Sequence, residues 1–211
     1  MALDKLENSV AEVLRTTVQA EKLSDHELIE ATKKGDEDAF AEIMTRYRSQ
    51  ITNYLYRFLN DYEEAVDLAQ ETFVRVYFAI ERYHTDYAFS TYIYRIATNL
   101  AISEIRRRKR RRLVSLTGLF QSDDEPQAQD FQPPDKKPLA LENLIESEQT
   151  ETIARAIATL PEKYRAPIVL RDVEGKSYEE VAAILKLGLG TTKSRISRAR
   201  KLLREKLQNH F

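Results

Sequence analysis

Basic side chains form two dense groups in this sequence. Residues 106–112 are seven consecutive arginines or lysines, and residues 193–206 hold seven more with only Glu205 against them. The formal net charge is nevertheless −1, because residues 121–150 carry eight acidic residues and only two lysines. Arg and Lys at such density neutralise nucleic-acid phosphates. The charge pattern therefore predicts two separate sites for a polyanion, divided by an acidic connector.

Groups for catalysis or metal binding are sparse. The chain has no cysteine, and His26, His84 and His210 lack the spacing of a metal-ligand cluster. Its carboxylates come without a nucleophile, a histidine base or a glycine-rich phosphate loop. We therefore predict no enzyme activity, no metal and no cofactor. The sequence also lacks a signal-peptide core and an apolar stretch of membrane-spanning length, which predicts a cytoplasmic protein without membrane insertion.

The second basic group lies in a predicted helix-turn-helix. Ser177 and Glu180 form a capping box that begins one helix, and Gly188 is expected to end it in a left-handed conformation. The next helix has a packing face made of Thr192, Ile196, Ala199, Leu203 and Leu207. Its opposite face carries Lys193, Ser194, Ser197, Arg198, Lys201 and Arg204. Such a face can read the major groove, and a merely solvated basic helix is the alternative.

Helical periodicity runs through most of the chain, which predicts an all-α fold. Four regions are expected: an N-terminal helical extension at 1–23, a first helical domain at 24–112, a flexible acidic linker with several prolines at 113–140, and the helix-turn-helix domain at 141–211. The extension carries an apolar stripe over residues 3–18 that suits either packing or partner binding.

The helix that begins after Asn60 has two usable faces. The predicted core face is Val66, Ala69, Phe73, Tyr77 and Ile80. The neighbouring face holds acidic and amide groups around an apolar centre: Glu63, Asp67, Gln70, Glu71, Val74 and Phe78. Charges that steer a partner and apolar groups that can be desolvated favour a protein-docking surface. A solvated acidic face explains the same spacing equally well.

The helix that begins at Phe89 combines aromatic, amide and basic groups. Its predicted buried side is Phe89, Tyr92, Ile93, Ile96 and Leu100, and its outer side is Thr91, Arg95, Thr98, Asn99, Ile102 and Arg106. Tyr83 and Tyr87 precede it and could stack on unpaired bases, which favours single-stranded nucleic acid. The alternative is that the aromatic residues are core and the cations are only solvated.

Four segments of the chain together resemble the extracytoplasmic-function group of bacterial sigma factors. Residues 61–73 are similar to the polymerase-docking segment, and residues 89–102 to the promoter-melting helix. Residues 160–165 and 190–200 resemble the reader of the −35 element. The segments occur in the family's order, and the resemblance as a whole spans roughly residues 24–208.

The resemblance implies three sets of functional residues. The polymerase-binding set is Glu63, Asp67, Gln70, Glu71 and Val74. The set for the −10 element is Tyr83, Tyr87, Arg95, Asn99, Arg106, Arg107 and Arg108. The set for the −35 element is Thr191, Lys193, Ser194, Ser197, Arg198 and Lys201.

The implied function is to bind core RNA polymerase and direct promoter-specific initiation. Implied partners are the clamp helices of the largest subunit, the flap of the second-largest subunit and promoter DNA, with an anti-sigma factor as a further candidate. Four residues depart from the family pattern, namely Tyr92, Ser103, Pro167 and Thr192. A stand-alone helix-turn-helix regulator remains the alternative, followed by an RNA-binding protein or nuclease.

Overall fold

The computed structural model describes residues 23–84, 87–116 and 152–208, and every regular element in these ranges is helical. The first domain contains α1 (Asp25–Lys33), α2 (Glu37–Leu59), α3 (Tyr62–Ala79), a 3₁₀ turn (Ile80–Arg82) and α4 (Phe89–Leu116). The second contains α5 (152–158), α6 (Glu162–Ile168), a π-helical segment (Val169–Val173), α7 (Tyr178–Leu185) and α8 (Leu189–Gln208). The all-α prediction is confirmed. The predicted N-terminal helix and the linker beyond Leu116 lie outside the described residues.

Local capping sets the helix boundaries of the first domain. The Ser24 hydroxyl accepts the Glu27 N–H and the Glu27 carboxylate accepts the Ser24 N–H, and this capping box begins α1. Asp36 caps α2 through the Ala39 N–H. Asn60 then adopts a left-handed conformation (φ 54°), so that the chain turns directly into α3.

The first domain packs α2, α3 and α4 around one apolar core. Tyr54 is fully buried, and its hydroxyl lies 2.8 Å from that of Thr98, which itself donates to the Tyr94 carbonyl. The prediction that Thr91 and Thr98 face outward is therefore wrong, because both are buried. A threonine can satisfy its hydroxyl within its own helix turn, so its polarity does not determine its face.

The core face of α3 is also rotated from the predicted one. Ala65, Ala69, Thr72, Phe73 and Val76 are buried. Tyr77, predicted to be core, is 43% exposed and touches the edge of Phe40. Small residues allow neighbouring helices to approach closely, whereas the sequence pattern gave weight to the larger apolar side chains.

Pro167 lies one residue before the end of α6. A proline has no N–H to donate to the carbonyl four residues earlier, so regular α-helical bonding cannot continue through it. The chain changes to a π-helical segment after Ile168, and the Glu174 N–H bonds to the Val169 carbonyl five residues back (2.9 Å). The Ser177–Glu180 capping box then begins α7, as the sequence predicted.

The turn between α7 and α8 differs from the prediction at one residue. Lys186, and not Gly188, takes the left-handed conformation (φ 52°). The Leu187 N–H bonds to the Ala182 carbonyl (2.9 Å), as in a Schellman motif. Gly188 instead begins the next helix, since its carbonyl accepts the Thr192 N–H (3.0 Å).

This geometry predicts opposite stability changes at two nearby positions. Lys186→Gly is expected to raise the free energy of unfolding by up to about 1 kcal/mol, because a left-handed conformation strains a residue with a Cβ. Gly175 has φ 68° and open space around it, so Gly175→Ala is expected to lower that free energy by about 1 kcal/mol through the backbone alone. Urea unfolding of the full chain measures both. A lowered midpoint for Lys186→Gly contradicts the assigned turn.

The two domains contact each other directly. Helix α4 packs against α6 and α7, and α2 packs against the π-helical segment. The buried residues of both domains belong to one apolar cluster. Within the ranges that the structure describes, no helix is both long and apolar enough to cross a bilayer.

Candidate nucleic-acid and polymerase interfaces

The face of α8 predicted to read duplex DNA is open to solvent. All six predicted residues are exposed: Thr191, Lys193, Ser194, Ser197, Arg198 and Lys201. Thr192, Ile196 and Ala199 are buried on the opposite side. Thr192 departs from the family pattern, yet its hydroxyl donates to the Gly188 carbonyl (3.1 Å). The buried hydroxyl is therefore satisfied within the first turn of α8.

Neighbouring side chains orient the cations of this face. The neighbouring Arg198 guanidinium lowers the pKa of Tyr164 through hydrogen bonding to its hydroxyl. The Lys193 ammonium lies 5.7 Å from the centre of the Tyr178 ring, a cation–π distance. Arg200, outside the predicted set, makes a bidentate pair with Asp172 (2.6 and 2.8 Å). The sequence pattern did not reveal these supporting contacts.

The residues predicted for the −10 element separate into surface and core. Tyr87 and Asn99 are exposed, and the Arg95 guanidinium lies 5.6 Å from the centre of the Tyr87 ring. Tyr83 is only 6% exposed and packs against Phe89, so its predicted contact with a base is wrong. Its hydroxyl donates to the Tyr87 carbonyl (2.8 Å), which makes it a support for Tyr87.

The first basic run is partly neutralised within the domain. Arg107 and Arg108 both bond to Glu104, which is 6% exposed. Arg108 also pairs with Asp61 (2.9 Å). Burial disfavours ionisation of Glu104, but the two arginines outweigh it and lower its pKa. These two predicted phosphate contacts are engaged by carboxylates here, because α4 lies beside the acidic start of α3.

The predicted docking face of α3 is at the surface. Glu63, Asp67, Gln70 and Val74 are exposed, and Glu71, partly exposed, pairs with Arg75 (2.7 Å). Phe78 continues this face and is 80% exposed. Tyr77, predicted to lie in the core, is exposed beside Phe78 and joins the same patch.

A second apolar surface lies between α6 and α8. It is a groove of about 410 Å³ whose apolar walls are Ile168, Leu203 and Leu207, with Asp172, Arg200 and Arg204 among its polar lining. Leu203 and Leu207 lie on the predicted packing face of α8 but are only half-buried. The four-residue spacing of Leu203 and Leu207 indicates that both lie on one face of α8. It does not indicate that this face is left partly exposed to solvent.

The fold and these surfaces define a two-domain DNA-binding protein with a helix-turn-helix reader. Its sequence matches the family model Sigma-70 region 2 over residues 43–111 and Sigma-70, region 4 over residues 150–203. The chain belongs to the extracytoplasmic-function (ECF) sigma factors of RNA polymerase. A stand-alone regulator is not supported, because the first domain is itself a sigma-factor module.

Curated relatives agree along most of the chain. The ECF RNA polymerase sigma factor SigW of Bacillus subtilis (strain 168) is 38% identical over 186 residues, which cover 86% of this chain and 95% of the relative. The ECF RNA polymerase sigma-E factor of Escherichia coli (strain K12) is 36% identical over 192 residues, 90% of this chain and 97% of the relative. These relatives are transcription initiation factors.

Two solved structures share the fold. CnrH, solved in complex with the cytosolic domain of CnrY, has a TM-score of 0.62 at 22% identity, covering 86% of this chain and 96% of that one. The sigma factor RpoE, solved with the anti-sigma factor NepR from Bartonella quintana, has a TM-score of 0.59 at 24% identity, covering 80% of this chain and 96% of that one.

Proposed function

We propose that this sigma factor binds core polymerase through α3, captures the melted −10 non-template strand beside Tyr87 and reads the −35 duplex with α8. The observation that carries the proposal is the exposure of all six predicted −35 residues on one face of α8, opposite its buried face. It acts as an initiation factor and not as an enzyme, since the polymerase supplies the chemistry. Its place of action is the cytoplasm, where polymerase and template meet.

Two apolar surfaces suit the two polymerase subunits. Val74 and Phe78 form an exposed apolar centre flanked by Asp67 and Glu71, which suits the clamp helices of the largest subunit. The groove beside Leu203 and Leu207 suits an apolar segment of the flap. Binding at both surfaces holds the two domains on one polymerase.

The −10 site uses groups that can act only on an unstacked base. Tyr87 offers an exposed aromatic face, Arg95 lies over that face, and Asn99 is exposed on α4. Stacking on an aromatic ring and amide hydrogen bonds to a base edge both require the base to leave the duplex. Lys109, Arg110 and Arg111 remain exposed further along α4 for phosphates.

Transcription in vitro with purified core polymerase tests the proposed function. Addition of the chain is expected to give discrete start sites, and mapping them yields the −10 and −35 sequences. The same core polymerase without the chain is the control. Failure to direct any start site over a genomic library of templates contradicts the proposal.

Tyr83→Phe is expected to slow promoter opening by about two- to tenfold, the worth of one hydrogen bond. The change removes the hydroxyl that holds the Tyr87 carbonyl and leaves the packed ring in place. Tyr87→Ala and Asn99→Ala are expected to impair opening more than duplex binding. Permanganate reactivity on linear and pre-melted promoters measures the effect, which is expected to be smaller on the pre-melted template.

Tyr47→Phe is the matched control for this experiment. Tyr47 is also buried and also packs on Phe89, but its hydroxyl bonds to Asp25 and not to the Tyr87 carbonyl. It is expected to open promoters like the unchanged protein. An equal defect of Tyr83→Phe and Tyr47→Phe assigns the loss to general destabilisation and removes the positioning role.

A further inference from the structure

Two cations from different helices converge on one tyrosine beside the proposed −35 reader. Tyr164 lies in the first turn of α6, and the Arg198 guanidinium of α8 hydrogen-bonds to its hydroxyl. The Lys163 ammonium lies 5.0 Å from the centre of the Tyr164 ring, a cation–π distance. Lys163 is not among the residues predicted for DNA, because the sequence pattern marks only α8. The structure nevertheless brings it next to a reading residue.

The surroundings of the Tyr164 hydroxyl favour a negative charge. Hydrogen bonding from Arg198, followed by the positive charge of Lys163, holds the pKa of Tyr164 below its ordinary value. A group whose ionised form is favoured by neighbouring cations lies in a positive potential. The adjacent carboxylate, Glu162, pairs with Arg106 (2.7 Å). Lys163 is exposed, so an external anion can reach it.

The packing of α6 against α8 places Lys163 at the side of the reading helix. Arg198 is exposed on the face of α8 proposed to enter the major groove, and Tyr164 links it to Lys163. That groove is about 12 Å wide, and a helix with its side chains is about 10–12 Å across. The sides of an inserted helix therefore lie against the rows of phosphates at the groove edges. A cation at such a side is in position to meet a phosphate.

We propose that Lys163 contacts a backbone phosphate at the edge of the groove read by α8, and that Tyr164 couples this contact to Arg198. The inference rests on the proposed −35 reading and adds a residue of a second helix to it. A lysine meets a phosphate as a point charge, so it adds affinity without sequence preference. The Arg198 guanidinium has five N–H groups and keeps donors for a base edge. Contacts from two helices limit how far α8 can rotate in the groove.

Binding of the full chain to −35 duplexes at several salt concentrations tests the phosphate contact. The parent duplex comes from a promoter mapped by transcription with this chain. Lys163→Ala is expected to weaken binding to every duplex by the same factor and to lower the slope of log K against log salt concentration by about 0.9. Lys34→Ala is the matched control, because it removes the same charge at an exposed position of the first domain. It is expected to leave the slope unchanged.

Neutral methylphosphonate linkages identify the phosphate that Lys163 contacts. One linkage at a time is made neutral on each strand of the −35 duplex, and binding of the unchanged chain is compared with that of Lys163→Ala. At one or two linkages the unchanged chain is expected to lose affinity and Lys163→Ala to lose none, because the partner charge is already absent. A variant that is only destabilised would instead show the same pattern of losses as the unchanged chain.

Tyr164→Phe tests the coupling between the two cations. The change removes the hydroxyl and keeps the ring, Lys163 and Arg198, so the salt slope is expected to stay as it is. In the unchanged background, the effects of Lys163→Ala and Arg198→Ala on duplex binding are expected to be non-additive. In the Tyr164→Phe background they are expected to add. Non-additivity that persists without the hydroxyl overturns the coupling role of Tyr164.

The outcomes separate this inference from the function on which it rests. The phosphate contact alone is overturned if the chain reads its −35 sequence through Arg198 while Lys163→Ala matches Lys34→Ala at every salt concentration. Absence of any methylphosphonate position specific to Lys163 has the same meaning. An unchanged chain that binds no −35 duplex contradicts the −35 reading itself, and the Lys163 contact with it.

Discussion

Asp67→Arg with Glu71→Arg is expected to weaken binding to core polymerase by more than about 100-fold. Asp67 is exposed, and Glu71 pairs with Arg75 of its own helix (2.7 Å), so the reversal should leave packing intact. Like charges placed against each other across an interface cost several kcal/mol. Co-purification of the double variant with core polymerase measures the loss.

A matched control changes two carboxylates that also pair within their own helices. Glu30 pairs with Lys33 (2.8 Å) and Glu42 with Arg46 (2.9 Å), both in the first domain. Glu30→Arg with Glu42→Arg alters net charge equally and is expected to retain polymerase binding. If the folded Asp67/Glu71 variant is recovered with polymerase as well as this control, α3 is not the docking surface.

Arg198→Ala is expected to relax −35 sequence preference, whereas Lys201→Ala weakens binding to all sequences alike. Both residues are exposed on α8, but Arg198 lies nearer the helix start, which enters the groove first. A bidentate arginine contact to guanine discriminates by about 1–3 kcal/mol, or roughly five- to 150-fold. A phosphate contact hardly distinguishes sequences and instead changes the salt dependence.

Binding of the full chain to a panel of −35 duplexes at several salt concentrations measures both effects. Tyr164→Phe is an informative companion, because it removes the hydroxyl that Arg198 contacts and keeps the cation. We expect it to reduce preference less than Arg198→Ala. If Lys201→Ala reshapes the preference and Arg198→Ala weakens every duplex equally, the proposed orientation of α8 is wrong.

Features that depend on a few neighbouring residues were predictable from the sequence. Ser177 begins α7 through the predicted capping box, and Ser24 and Asp36 cap α1 and α2 in the same local way. The α-helix that contains Pro167 ends one residue after it. Each effect arises from a hydrogen bond made or lost within about one helical turn. The exposed face of α8 was also predictable, because its polar and apolar residues separate cleanly at helical spacing.

Features that depend on what packs against a helix were not predictable in the same way. Tyr77 was assigned to the core and lies at the surface, whereas Tyr83 was assigned to DNA and lies in the core. Both are amphipathic, so their position follows from neighbours that a single sequence does not specify. The pairing of Arg107 with Glu64 and of Arg108 with Asp61 likewise required knowing that α4 lies beside the start of α3.

The contact between the two domains gains strength from their being parts of one chain. A flexible linker such as the sequence predicts gives an effective concentration on the order of 1 mM. An interface with a dissociation constant of only about 0.1 mM would then leave roughly one molecule in ten with its domains apart. A ligand that binds only this form would show an apparent affinity about tenfold lower. The Arg95–Ala183 and Arg165–Phe58 hydrogen bonds would scarcely hold two separate proteins together, but between tethered domains such modest contacts are enough for a stable interface.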